Sequence, residues 1–303
     1  MPEMRVHLYF VGLTLVGMML FLSPLGELWE LVFQNETYSH IVLIPAMSLV
    51  LLAIRRKRIM REDAVGGKPA AGLAICGGGL CLYGAAVLLK EQLGRQTFLS
   101  HDVPNDYLSL CMTAAVAWII GSFIAAYGTS VFRKARFELL LLVFTIPIPV
   151  FLLDAIVALL QHASAEAAAV VFNLSGFPYH RNGLVFEFSN VAVHVAEQCS
   201  GIRSSLALFI LSVVTGHLFL RSMSRQVVLA CAVFPITVIK NALRIMTMTL
   251  LANQVDSRFL TDHWIHRSGG IPFFAVALML FIPMVWALRK SERWLRPTRR
   301  HVP

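Results

Sequence analysis

Cys199, Arg244 and His266 are the residues of this 303-residue chain whose types and settings could do chemistry together. Cys199 stands in the run Glu197-Gln198-Cys199-Ser200-Gly201-Ile202-Arg203-Ser204-Ser205, directly before a long apolar stretch. A thiol there can work at a membrane surface without entering hydrocarbon. Thiolates are nucleophiles, and a neighbouring cation or base lowers a cysteine pKa and activates it. An imidazole such as His266 can take the thiol proton or protonate a leaving amine. Arg244 stays charged at any ordinary pH and suits instead an oxyanion or a substrate carbonyl. The three together fit acyl transfer through a thioester. Packing is the plainer role for a cysteine at a membrane edge, and snorkelling to the headgroups is the plainer role for the arginine. Only a shared position for all three favours chemistry over both.

The elements that must supply that position are membrane helices. The chain is 57% hydrophobic and 14% charged, where soluble domains carry about 25% charged residues, and its mean hydropathy is +0.70. Its apolar runs are continuous rather than alternating, which excludes a β-barrel and leaves helices. The runs predict eight spans, near 6–24, 39–54, 69–89, 106–127, 137–153, 201–220, 226–251 and 271–288. The first is read as an uncleaved helix, without a convincing small-residue cleavage site. Pro147-Ile148-Pro149 should kink or break the fifth. The expected fold is therefore an all-α, polytopic membrane bundle forming a single domain over 1–303. Residues Ala155 to Leu174 suggest a helix lying in or dipping into the interface, ended by Gly176 and Pro178. Tyr179 to Val195, with Asn182-Gly183 as a turn, suggests a short hairpin leading to the cysteine.

Basic residues orient the spans. With the N-terminus inside, the inner segments hold 18 Lys or Arg and the outer segments 5. That bias predicts both termini in the cytoplasm. The net charge of +9 then speaks for orientation and anionic lipid rather than for nucleic acid. In this topology Cys199 lies outside, just before the sixth span. Arg244 falls in the outer third of the seventh, and His266 lies outside, just before the eighth. Charge counting and span order alone thus bring a thiol, a guanidinium and an imidazole to one face.

Other residues compete for roles. Lys240 and Asn241 give the seventh span a polar face, and an intramembrane cation usually faces a cavity or a partner. His263 competes with His266 as base; their i,i+3 spacing could support a metal, but no further ligand stands at a matching spacing. His40 and His194 are also expected near the outer face. Cys76, Cys81, Cys111 and Cys231 lie within apolar runs, with no CxxC pair and no disulfide framework. No cofactor is expected.

Several motifs resemble the exosortase/archaeosortase family of membrane cysteine transpeptidases. Cys199-Ser200-Gly201-Ile202-Arg203 is similar to its cysteine motif and Asn241-Ala242-Leu243-Arg244-Ile245 to its arginine motif. His266-Arg267-Ser268-Gly269-Gly270, leading to Phe273-Phe274, is similar to its third motif, where exosortases have histidine. Tyr38-Ser39-His40 and Pro147-Ile148-Pro149 also match. The resemblance covers most of the chain. It implies Cys199 as nucleophile, Arg244 as oxyanion or substrate stabiliser and His266, rather than His263, as acid/base. The implied substrates are exported proteins ending in a short recognition motif, a membrane helix and a basic cluster, with a lipid or glycan amine, or water, as acceptor. The histidine implies a Gram-negative inner membrane, with the site facing the periplasm.

Two other functions compete. A non-catalytic transporter or channel is suggested by the many spans and by Lys240 and Arg244, although no internal repeat of the kind transporters show is evident. An envelope glycan polymerase or ligase would act at the same face but usually needs larger outer loops.

Overall fold

The computed structural model describes residues 2–59, 69–90, 105–188, 191–195, 201–254 and 270–294. The chain divides into two compact units, Met1–Asp154 and Ala155–Pro303, each with its own core. Seven of the described helices are long and apolar enough to cross a membrane, or eight if one bent pair makes a single span. The all-α polytopic bundle expected from the sequence is what is observed.

In the first unit, α1 (Pro2–Leu20) and α2 (Leu22–Gln34) form that bent pair, meeting at 71°. The expected single span 6–24 therefore breaks at Phe21. Pro24, in the first turn of α2, has no N–H to give the carbonyl four residues back, so the α1 ladder cannot continue through it. Asn35 accepts from the Thr37 N–H at 3.0 Å and opens a 3-10 segment, Glu36–Val42, which leads into α3 (Leu43–Ile59). Next come α4 (Ala70–Leu88) and α5 (Asn105–Tyr127), which pack closely. The contact needs small residues: a Cβ on Gly72 would fall 2.2 Å from the Ala125 nitrogen, and one on Gly121 would fall 2.7 Å from the Gly72 oxygen.

Helix α6 (Thr129–Leu140) is tied to α3 by a buried charge. Glu138 is 0% exposed and pairs with Arg55, while Ser48 Oγ donates to the Glu138 carbonyl at 2.7 Å. Removing one partner of a buried pair leaves the other charge desolvated. Arg55→Met should therefore destabilise the protein by about 3–5 kcal/mol, and the Arg55→Met/Glu138→Leu double variant should recover much of that loss. Thermal unfolding of both in detergent checks this.

The fifth span is differently bounded from the expected 137–153. Helix α6 passes into a 3-10 turn, Leu141–Thr145, and then into extended backbone up to Pro149, so the two prolines break the helix as their chemistry requires. Side chains of α5 serve the broken stretch: Ser109 Oγ donates to the Pro147 carbonyl at 2.7 Å, and Asp106 accepts from the Val150 N–H at 2.7 Å. A new helix, α7 (Val150–Ser175), starts there. It takes in residues 155–174 and is itself long and apolar enough to cross a bilayer.

Among the described residues the second unit contains most of α7, a small sheet and three further helices. Helix α7 ends at Gly176, whose φ is +72°. The expected hairpin forms from β1 (His180–Asn182) and β2 (Val185–Glu187), and a third strand, β3 (Ala192–His194), joins it in the antiparallel order β1-β2-β3. The register pairs Arg181 with Phe186 and Phe186 with Val193. Helices α8 (Ile202–Phe219), α9 (Met223–Gln254) and α10 (Gly270–Trp294) pack around Leu208, Leu229, Val233, Ala277 and Phe281. At one end of this trio the Glu292 carboxylate accepts from the Arg221 and Ser222 N–H groups at 3.0 and 2.8 Å. A negative charge before α9 meets the positive end of that helix.

Candidate active site

Arg244 sits on α9, half-buried, one turn beyond Lys240 and Asn241. Residues three and four apart share a helix face, so these three make one polar strip on an otherwise apolar helix. Lys240 is 3% exposed and Asn241 0%. Among the described residues no carboxylate pairs with Arg244. Cys199, His266 and His263 lie outside the described residues. The described residues on either side of Cys199 are nevertheless held in place.

Upstream, the chain is fixed at Val195. Its N–H donates to the Leu184 carbonyl at 2.9 Å, which closes the sheet, and its own carbonyl accepts from Gln161 Nε2 on α7 at 2.5 Å. The Val195 side chain belongs to a core with Ala165, Ala168 and Phe172 of α7, Phe186 of β2, and Ala242 and Ile245 of α9. Phe172, Tyr179, Phe186 and Phe188 stack with centroids 5.0 to 6.0 Å apart and seat the sheet on α7. A bidentate bond from Arg181 to Glu166, at 2.6 and 3.0 Å, ties β1 to the same helix and raises the guanidinium pKa further.

Downstream, the chain is fixed at Gly201, which precedes α8 in the left-handed conformation, φ +68°. The Gly201 carbonyl accepts from the Ser204 and Ser205 hydroxyls at 2.9 and 2.7 Å and from the Ser205 N–H at 2.9 Å. Its α-carbon lies against α9: a Cβ there would meet Asn241 Oδ1 at 2.5 Å and Lys240 Nζ at 2.8 Å. Asn241 Nδ2 in turn donates to Ser164 Oγ on α7 at 3.3 Å. Gln161 and Ser164 stand three residues apart on one helix, so Val195 and Asn241, the neighbour of Gly201, are bonded within about one turn of α7. Gly201 meets α9 at Lys240 and Asn241, and Val195 shares a core with Ala242 and Ile245, in the stretch of α9 that carries Arg244.

Gly201→Ala combines a strained φ with three side-chain atoms of Lys240 and Asn241 within 3.0 Å of the new Cβ, which must shift to admit it. It should cost roughly 1–3 kcal/mol and displace the cysteine segment. A lowered unfolding temperature, with a changed rate of Cys199 alkylation in the native protein, is the expected result.

The family model for the transmembrane exosortase matches residues 28–283. The chain belongs to the exosortase family. No curated protein and no solved structure matches it. Members of this family are membrane transpeptidases or proteases that act on sorting signals of exported proteins. The matched region takes in 199–203, 241–245 and 266–270.

His194 and His40, expected near the outer face, are both among the described residues. His194 is exposed on β3. His40 belongs to the first unit, where its Nδ1 bonds the Thr37 carbonyl at 3.1 Å. Reasoning from sequence missed Gln161 and Ser164 as anchors. Their signal is a polar pair at i,i+3 on an apolar helix, a pattern that marks a face without naming what meets it.

Proposed function

We propose that this exosortase removes the C-terminal sorting signal of exported proteins with Cys199 as nucleophile, Arg244 as stabiliser of the oxyanion and His266 as acid/base. The observation that carries this reading is the fixing of both ends of the Cys199 segment, Val195 and Gly201, to the turn of α9 that bears Arg244. A chain held at Gly201 limits the α-carbon two residues before it to within about 7 Å, and Arg244 stands about 6 Å along the α9 axis from Lys240.

The Cys199 thiolate bonds to the scissile carbonyl carbon, and the carbonyl pair moves to oxygen, where Arg244 meets it. Collapse of this intermediate breaks the C–N bond. The departing amine takes a proton from His266 and leaves with the tail helix, and the substrate remains as a thioester. An amine on a lipid or glycan precursor then attacks, its proton passes to His266, and the sulfur leaves as thiolate. Water in place of the amine would yield a free carboxylate.

The orientation follows from the basic residues. Moving the fifth span from 137–153 to Val150–Ser175 leaves every Lys and Arg on the side first assigned, so the bias of 18 to 5 persists. Both termini lie in the cytoplasm and the site faces the periplasm of the inner membrane. A substrate's basic tail stops in the cytoplasm, which holds its recognition motif at the outer surface beside Cys199. The single domain expected over 1–303 works as one enzyme in this reading. The test is co-expression with a signal-bearing substrate and mass analysis of its C-terminus. Loss of the tail with an added mass establishes transpeptidation, and a free carboxylate establishes hydrolysis. An intact tail would overturn the reading for that substrate class.

A further inference from the structure

The acyl-transfer reading leaves the most deeply buried cation among the described residues of the second unit without a task. Lys240 lies within a helix long and apolar enough to span a membrane and is 3% exposed. Its Nζ donates to Ser204 Oγ at 2.5 Å, and Ser204 Oγ donates to the Gly201 carbonyl at 2.9 Å. A Cβ on Gly201 would stand 2.8 Å from the same nitrogen. Among the described residues no carboxylate pairs with this ammonium, and the next residue on its strip, Arg244, is also a cation. A charge in that setting is expensive and is normally tied to function. One hydrogen bond to a serine does not require it, since a neutral amide would serve. What requires a cation is a neighbour that becomes negative.

That neighbour is supplied by the chain itself. Gly201 follows Cys199 by two residues and begins α8, whose N-terminus carries the positive end of the helix dipole. We propose that Lys240 is a positioning residue of the exosortase site. Through Ser204 and Gly201 it holds the first turn of α8, which follows Cys199 closely in the chain. Its positive charge, added to that of the helix N-terminus, favours the anions that form at the thiol and at the attacked carbonyl. This inference rests on Cys199 being the nucleophile. It divides the work between two cations: Arg244 meets the substrate oxygen, and Lys240 acts through the segment that bears the thiol.

Full-length Lys240→Met, Lys240→Gln, Lys240→Arg and Ser204→Ala variants, assayed on a signal-bearing substrate beside Cys199→Ala, test it. The Met and Gln variants should each lose about 30-fold in kcat with KM within about twofold, because the charge is missing in both while substrate binding is not. Lys240→Arg keeps the charge and should retain most of the rate. Ser204→Ala keeps the cation but frees it from Gly201, and should lose about fivefold in kcat. A Gln variant with wild-type kcat would show that hydrogen bonding alone suffices and would overturn the proposal. So would a Met variant within about threefold of wild type, or kcat and KM worsening together. If the Met variant does not fold, judged by its unfolding temperature, the Gln variant decides. Tail removal that survives Cys199→Ala would overturn the reading of the site itself. Removal abolished by Cys199→Ala and untouched by Lys240→Met and Lys240→Gln would overturn this inference alone.

Discussion

Cys199→Ala is expected to abolish removal of the sorting tail, a loss of more than about 10⁴-fold in kcat, while the protein stays folded. The size follows from what is deleted. Without a sulfur no thioester forms, and the remaining donors have no intermediate to stabilise. Folding should survive because the segment's anchors, the Val195 backbone and Gly201, are untouched by the change. Cys199→Ser should be nearly as inactive, since a hydroxyl is far harder to deprotonate than a thiol and a far weaker nucleophile than a thiolate. The other four cysteines are internal controls. Cys76 and Cys111 are buried, and Cys81 and Cys231 lie on exposed faces of apolar helices, so their replacement by alanine or serine should leave processing intact. Mass analysis of the substrate C-terminus reads all of these variants. Equal tail loss in Cys199→Ala would remove this residue from the chemistry.

Arg244→Ala is expected to lower kcat by about 10²–10³-fold, the range seen when an oxyanion donor is removed. KM should change little, because the guanidinium is asked to act on charge that develops in the transition state. Arg244→Lys should recover only part of the rate, since an ammonium cannot reproduce the planar fork of donors. Stability should hardly move, as the side chain is half-buried and pairs with no carboxylate among the described residues. The same variant separates the two functional classes. Solute flux in vesicles, lost in Arg244→Ala and preserved in Cys199→Ala, would support a transporter and sink the enzymatic reading.

Much of this architecture is legible in the sequence, and the exceptions have physical causes. The runs that became Ala70–Leu88, Asn105–Tyr127 and Ile202–Phe219 announce themselves because a helix that crosses hydrocarbon must be predominantly apolar along its length. The break at Pro147 and Pro149 is legible too, since proline removes a donor wherever it stands. Where the helix resumes is not: that depends on Asp106 and Ser109, about 40 residues away, accepting and donating across the gap. The bend at Phe21 is hidden within an apolar run that hydropathy reads as one span. Of the site, the polar strip Lys240-Asn241-Arg244 follows from helical spacing alone. Its contacts with Gly201, Ser204 and Ser164 do not, because periodicity describes one helix face and is silent on what packs against it. The third strand escaped for a similar reason, since three residues alternate too briefly to stand out from a loop.

Gln161 and Ser164 give α7 a part in setting the reaction's depth. At 26 residues this helix is about 39 Å long, against about 30 Å of hydrocarbon, and in the proposed topology it crosses the bilayer. A helix with that excess responds to lipid thickness by tilting. Val195 bonds one of its turns directly, and Asn241, which meets Gly201, bonds the same turn, so tilt would carry the thiol up or down relative to the substrate's own membrane helix. The choice of scissile bond would then be measured from the lipid, with acyl-chain length as the ruler. Reconstitution in thin and thick bilayers would show it as a shift in the cleavage position.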